Sequence, residues 1–231
     1  MKLQLLSFNA DAKTRKSNGA DYLTAILYLA PAKIAGRGEV CSHRSAACTA
    51  ACLFTAGRGQ MNSVQSARIR KTQLFFDDCA KFIRLLRADI TAFQAYCAKR
   101  GAKACVRLNG TSDINWERFN LIVEFSSVQF YDYTKSLLRM TAFCKEMFPA
   151  NYHLTFSRSE SNEAQALHVL REGGNVAVVF SSACFPASWN GFKVVSGDET
   201  DLRFIDPRPC VIGLKAKGKA KQDKSGFVVY A

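Results

Sequence analysis

Histidine is scarce in this 231-residue chain: His43, His153 and His168 are all there are, and no pair has the His-hydrophobe-His spacing of rolling-circle replication nucleases. There is no complete GxxxxGK[ST] phosphate loop and no GxSxG nucleophile turn, which excludes the chemistries those turns position. Long apolar runs are missing as well. None approaches the ~18 residues needed to cross a bilayer, so no membrane partner is expected. The opening MKLQLLSFNADAKTRKSNGA has too short an apolar patch for a signal peptide, and no small-residue cleavage site follows it. A cytoplasmic location is therefore expected, where the sequon Asn109-Gly110-Thr111 is chemically idle.

Acidic residues are the other shortage. The chain has 19 of them against 32 lysines and arginines, a net charge of +13. A field of that sign attracts nucleic acid, nucleotides and acidic surfaces. The excess is uneven, because residues 213–224, GLKAKGKAKQDK, hold five lysines and one aspartate. Arg58, Arg68, Arg70, Lys71, Lys217, Lys219 and Lys221 are the candidate phosphate contacts. A solvated edge is the alternative for the lysine run.

What is present is ordinary globular material, with 48% hydrophobic and 22% charged residues. We expect a single domain over 1–231, with a cysteine-rich loop at 41–59 and a basic C-terminal segment at 213–231. YLTAILYL (22–29) reads as a buried strand. A helix follows from Asn62, and a second opens at Asp77-Asp78. That second helix carries a stripe of Phe82, Leu86, Ile90, Phe93 and Cys97 and stops at Gly101. Strand patterns at 103–110, 127–133, 152–157, 175–181, 192–197 and 210–216 then alternate with helical ones at 137–147 and 162–173. Alternation of this kind predicts an α/β fold with βαβ units. We expect a single partly closed (β/α) barrel of about six mostly parallel strands with outer helices.

Each apolar strand runs into a polar cluster: the cysteine loop, RLNGTSD (107–113), YDYTK (131–135), SRSESN (157–162), SSAC (181–184) and SGDETDLRFIDP (196–207). Parallel α/β folds build their sites at the carboxyl ends of strands, so these ends mark a candidate active-site face. Asp113 is a candidate for an amine or ribose hydroxyls, or else a turn residue capping the next helix. Asp198, Asp201 and Asp206 are candidate cation ligands, or turn residues paired with Arg203 and Arg208. A divalent-metal nuclease using Asp113, Glu124, Asp132 and Lys135 is a further, loosely spaced alternative.

Nine cysteines are many for a reducing compartment, and the odd number argues against a disulfide framework. Cys79, Cys97, Cys105 and Cys144 fall in helix or strand patterns and read as packed thiols. Cys41, Cys48 and Cys52 differ, standing as C-x6-C-x3-C in a polar loop. With His43 they would make a Cys3His zinc set. As three thiolates they suit a [4Fe–4S] cluster with one open iron. Plain thiols are the third reading.

A three-cysteine loop after the first strand of a parallel barrel is similar to the layout of radical S-adenosylmethionine enzymes, although those usually show C-x3-C-x2-C. That resemblance implies a [4Fe–4S] cluster on Cys41, Cys48 and Cys52 and S-adenosylmethionine as cofactor. It would place Gly110, Thr111 and Asp113 at the methionyl or ribose part, and Ser157, Arg158 and Ser159 at the carboxylate and ribose. Tyr131, Asp132 and Lys135 would then face substrate as candidate catalytic residues.

NADAKTRKSNGADYLTAILYLAPA, the three cysteines with CLFTAGRG, ARIRKT, RLNGTSD, YDYTK and the closing GLKAKG with GFVV also resemble a bacteriophage family related to gene product 88. The positions matched are Cys41, Cys48, Cys52, Arg107, Gly110, Asp113, Tyr133, Thr134 and Lys135, which adds Arg107 to the candidate cofactor contacts. This resemblance implies phage origin, and so the cytoplasm of an infected bacterium. It supplies no reaction. Two readings stay open: an iron–sulfur enzyme acting on a nucleic acid or nucleotide, served by a host electron donor, and a nucleic-acid-binding protein with a structural zinc or thiol loop.

Overall fold

Strands buried on both faces read as near-continuous apolar runs, and such runs build the centre of this protein. The computed structural model describes residues 3–8, 21–182 and 184–230. Most of the stretch behind the signal-peptide expectation, and the Asn9–Ala20 part of the family resemblance, lie outside them. Strand β1 (Leu6–Phe8) pairs antiparallel with β2 (Tyr22–Leu27), Ser7 opposite Ile26. From β2 the strands run parallel and in chain order through β3 (Lys103–Arg107), β4 (Gln129–Thr134), β5 (Tyr152–Ser157) and β6 (Val176–Phe180). A hairpin of β7 (Ser188–Trp189) and β8 (Phe192–Ser196) forms the far edge, and β9 (Val211–Lys215) inserts between β8 and β6. The short β10 (Val228–Val229) pairs parallel with Val179 and Phe180, beyond the point where β5 pairs with Val176 and Ala177.

The α/β class and the mostly parallel sheet are as expected, but two particulars are corrected. Among the described residues the sheet has ten strands where about six were expected, and it is open where a partly closed barrel was expected, with β1 and β7 at its two ends. β1, β7 and β10 are only two or three residues long. That is too short for an alternating pattern to appear in sequence.

Right-handed crossovers that always step the same way put their helices on one face. The helices are α1 (Ala46–Ala50), α2 (Asn62–Asp77), α3 (Cys79–Ala98), α4 (Leu121–Glu124), α5 (Leu137–Cys144) and α6 (Glu163–Arg171). Ala104, Val106, Phe130, Leu154, Phe156, Val176 and Val178 join the α3 stripe, Met140 of α5 and Leu170 of α6 in one core. α3 begins where expected, at an Asp78 cap whose carboxylate accepts from the Lys81 amide at 2.9 Å, and Gly101 follows its end at φ +64°. The other face of the sheet carries Cys105 and Tyr131 beneath Leu202 and Phe204, and Ala177 and Ile212 beside Tyr133 and Cys210. Residues 201–206 therefore cover this inner face.

Candidate active site at the carboxyl edge of the sheet

The chain leaves β2 through Ala30-Pro31 and enters the cysteine loop. Within that loop Ser45 caps α1, its hydroxyl accepting from the Cys48 amide at 3.1 Å. Cys48 and Cys52 are four residues apart, and Cys52 precedes the 3-10 turn Leu53–Thr55. Burial pushes the Cys41 thiol up to about 12; the charges of Cys52 and Cys48 act in the same direction, against a backbone hydrogen bond at Ala32. Burial also raises the Cys52 thiol, with Cys48 adding to the rise and Arg68 and Lys135 opposing it. The three sulfurs thus lie within electrostatic reach of one another, and Lys135 lies within reach of Cys52.

Three separate parts of the chain brace this loop. Gly110 N–H donates to the Leu27 carbonyl at 3.0 Å, the Thr111 hydroxyl to the Leu29 carbonyl at 2.5 Å, and the Asp113 amide to the Val40 carbonyl at 2.7 Å. Cys41 Sγ is 3.7 Å from the Thr111 carbonyl it points to. From the loop after β5, Glu160 accepts from the Ser45 hydroxyl at 2.8 Å and the Ala47 amide at 3.1 Å. From the C-terminal segment, Ala216, Ala220, Phe227 and Val228 pack with Ala47, Cys48 and Ala51. Glu160→Ala removes one brace, and a local loss of about 1.5 kcal/mol is expected for two such bonds. Peptide-mapped iodoacetamide labelling of Cys48 should then run roughly tenfold faster. An unchanged rate would show that Glu160 does not hold the loop.

No group of three or more His, Cys, Asp or Glu among the described residues stands at metal-ligating spacing. His43 is exposed, with Nδ1 3.1 Å from the Ser42 hydroxyl, so the Cys3His zinc set is not assembled.

The strand ends beside the loop are linked to one another. Lys135 Nζ donates to the Ser157 hydroxyl at 2.6 Å and stands 6.0 Å from the Phe227 ring centre. The Lys135 amide donates to Asp113 Oδ2 at 2.8 Å. Asp113 Oδ1 takes a charge-assisted bond from Arg139 NH1 at 2.9 Å, so Asp113 ties two loops together and does not cap its own turn. The turn is closed by Asn109, whose Oδ1 accepts from the Ser112 hydroxyl, the Ile114 amide and the Trp116 indole at 2.8–3.0 Å. A Cβ on Gly110 would meet the Leu27 carbonyl and the Tyr28 ring at 2.7 Å, so this glycine serves close approach to β2.

Successive residues of a strand point to opposite faces, and this separates the three candidate catalytic residues. Tyr131 lies on the inner face, fully buried, its hydroxyl donating to Asp201 Oδ2 at 3.0 Å. Asp132 points to the helix side, also fully buried, accepting from the Asn109 amide at 2.6 Å and the Tyr152 hydroxyl at 3.0 Å. Of the three, Lys135 alone is partly open. Arg107 is buried, pairs with Asp201 at 3.2 Å and lies 4.5 Å from the Tyr133 ring centre. Arg158 is buried as well. It donates to the Gly226 and Phe227 carbonyls and to Glu163 at 2.6 Å, which anchors the chain before β10. Ser159 is buried, its amide bonded to Asn162 Oδ1 at 2.6 Å.

Other candidates are dispersed. Asp206 pairs with Arg203 at 3.2 Å and Asp198 with Lys217 at 2.8 Å, while Arg208 donates to the Gly173 carbonyl. Glu124 pairs with Arg87 at 2.7 Å on the outside, so the four residues of the nuclease alternative do not converge. Arg58, Arg70, Lys217, Lys219 and Lys221 are exposed. Arg68 and Lys71 are not. Arg68 lies 4.6 Å from the Tyr28 ring centre and 5.6 Å from that of Phe54, and Lys71 donates to the Leu5 carbonyl at 2.6 Å. Burial lowers the Lys71 ammonium to about 8, against the pull of Asp89.

No helix among the described residues is long and apolar enough to cross a membrane. No curated protein and no solved structure matches the chain. The family described as gene product 88 matches residues 4–231, taking in the cysteine loop, the strand ends linked beside it and the basic segment; the chain belongs to the gene product 88 family.

Proposed function

We propose that this is a phage-encoded iron–sulfur enzyme, similar to radical S-adenosylmethionine proteins, that acts on a nucleic acid or nucleotide in the host cytoplasm. The observation that carries the reading is the convergence of Cys41, Cys48 and Cys52. Three remote segments hold that loop over the carboxyl edge of a sequentially wound parallel sheet, beside Lys135 and Ser157. The donor chemistry is of the kind the group takes, three half-buried thiols within electrostatic reach of one another; burial raises Cys41 and Cys52, so the group itself would have to hold them as thiolates.

Cys41, Cys48 and Cys52 would hold the cluster, which when bound supplies an open iron site and a single electron for radical chemistry. The chain's own residues do the rest. Lys135, fixed by Ser157, presents a cation to an anionic group of cofactor or substrate. Arg107 lies over the Tyr133 ring on the inner face of the sheet. Phe227 shields the Lys135 cation from one side. Thr111 and Asp113 act by holding Cys41 and Lys135 in place, and Arg158 by holding Phe227.

The test is metal content by variant. Cys48→Ala and Cys52→Ala should each lose bound iron after anaerobic reconstitution, while Cys79→Ala, in α3, keeps it. Equal iron in all three variants would refute the assignment. The second reading, a binding protein with a structural thiol loop, is favoured by the exposed lysines at 215–224 and would leave all three variants metal-free.

A further inference from the structure

We propose that the groove between the arm after the cysteine loop and the basic C-terminal segment binds one nucleotide unit of a single-stranded nucleic acid and delivers that strand to the cysteine loop. This rests on the reading above, that the substrate is a nucleic acid. The groove is lined by Thr55, Gln60, Gln65, Gly218, Lys219 and Gln222, with a volume of about 390 Å³. That is near the lower end of small-ligand sites, ~300–1,000 Å³, and of the size of a single nucleotide.

Its chemistry is one-sided. Three carboxamides, a hydroxyl and an ammonium line it, and no carboxylate does. Carboxamides offer donor and acceptor together, the pairing that base edges present. Gln65 is held in place, its Nε2 donating to the Gly59 carbonyl at 2.9 Å. Lys219 supplies the cation for a phosphate, with Lys221 exposed beside it. Among the described residues the nearby carboxylates are engaged elsewhere: Asp198 with Lys217 and the Lys215 amide, Asp223 with Ser225 and the Val228 amide. They leave the charge of Lys219 and Lys221 facing solvent.

The two walls are fitted to each other and to the cysteines. Gly218, at φ +56°, sits so close that a Cβ there would be 3.0 Å from the Ala56 Cβ. Ala216 and Ala220, on either side of it, pack with Cys48 and Ala51. A strand seated in the groove therefore lies next to the loop that carries the thiols.

The experiment is fluorescence anisotropy with a labelled 12-nucleotide deoxythymidine strand and its 12-base-pair duplex, at several salt concentrations, on protein whose iron has been assayed. The double variant Lys219→Ala/Gln222→Ala should bind the strand about tenfold more weakly. Its log–log salt slope should be shallower by about 0.7, the value for one lost phosphate contact on a single strand. Lys81→Ala/Arg84→Ala, removing two charges from the exposed side of α3, should change affinity less than twofold. An equal loss in that control pair, no loss in the groove variant, or a duplex bound as tightly as the strand would each overturn the groove. Strand binding is expected whether iron is present or absent, so the iron count alone decides the cluster and the anisotropy alone decides the groove.

Discussion

Arg139→Met should destabilise the protein by about 3–5 kcal/mol, the usual cost of breaking a buried ion pair from one side. Only 7% of the Arg139 side chain is exposed, yet it makes five hydrogen bonds: to both Glu117 carboxylate oxygens, to Asp113 Oδ1 at 2.9 Å, to the Thr134 hydroxyl and to the Tyr152 hydroxyl at 2.8 Å. Methionine fills similar volume but leaves Asp113 and Glu117, 12% and 16% exposed, as half-buried charges without their cation. Arg139→Lys should recover only part of the loss, because an ammonium cannot reproduce the planar fork. Urea unfolding of the three proteins measures this. A loss under about 1 kcal/mol for methionine would mean that water already serves these carboxylates.

The second large effect is a pH dependence. Burial pushes the Asp132 carboxyl up to about 7 from an ordinary 3.8, against the Asn109 amide bond, the Arg139 and Arg107 charges and the Tyr152 bond that favour ionisation. The folded protein then holds a proton that the unfolded chain releases between these values. Stability is highest in the acid part of that window and falls as pH rises toward 7. Between pH 5 and pH 7.5 the fall is about 2.5 kcal/mol. Asp132→Asn stays neutral and keeps an acceptor for the Asn109 amide, so it should remove that part of the slope. Comparing the two proteins cancels Asp206, pushed up to about 6 by burial, and the other groups that titrate nearby. Parallel stability–pH curves for variant and parent would contradict the assignment.

Much of the architecture was legible because it is written in local periodicity. The α3 stripe, the Asp78 cap and Tyr152–Ser157 stand where the periodicity puts them. So was the gathering of polar strand ends, since a parallel sheet brings them together by topology alone. What misled was side-chain direction. Tyr131 and Asp132 are adjacent in sequence and so stand on opposite faces of the sheet, and neither reaches the site. Arg68 and Lys71 share the inward face of α2 with Thr72 and Phe75. Aromatic rings and a carbonyl accept their charges there, which no apolar pattern announces. The braces were the least legible. Glu160 meets Ser45 across 115 residues and Phe227 comes to Lys135 from the chain's far end. Arg139 lies within an otherwise ordinary helix, with nothing beside it to mark it as a hub.

The central claim is that Cys41, Cys48 and Cys52 share an iron–sulfur cluster, and anaerobic purification with an absorption spectrum and iron, sulfide and zinc analysis tests it most directly. A brown protein with about four irons and four sulfides per chain, as a [4Fe–4S] centre requires, bleaching with dithionite, is the result this account predicts. A colourless protein, with one zinc or with no metal, would contradict it.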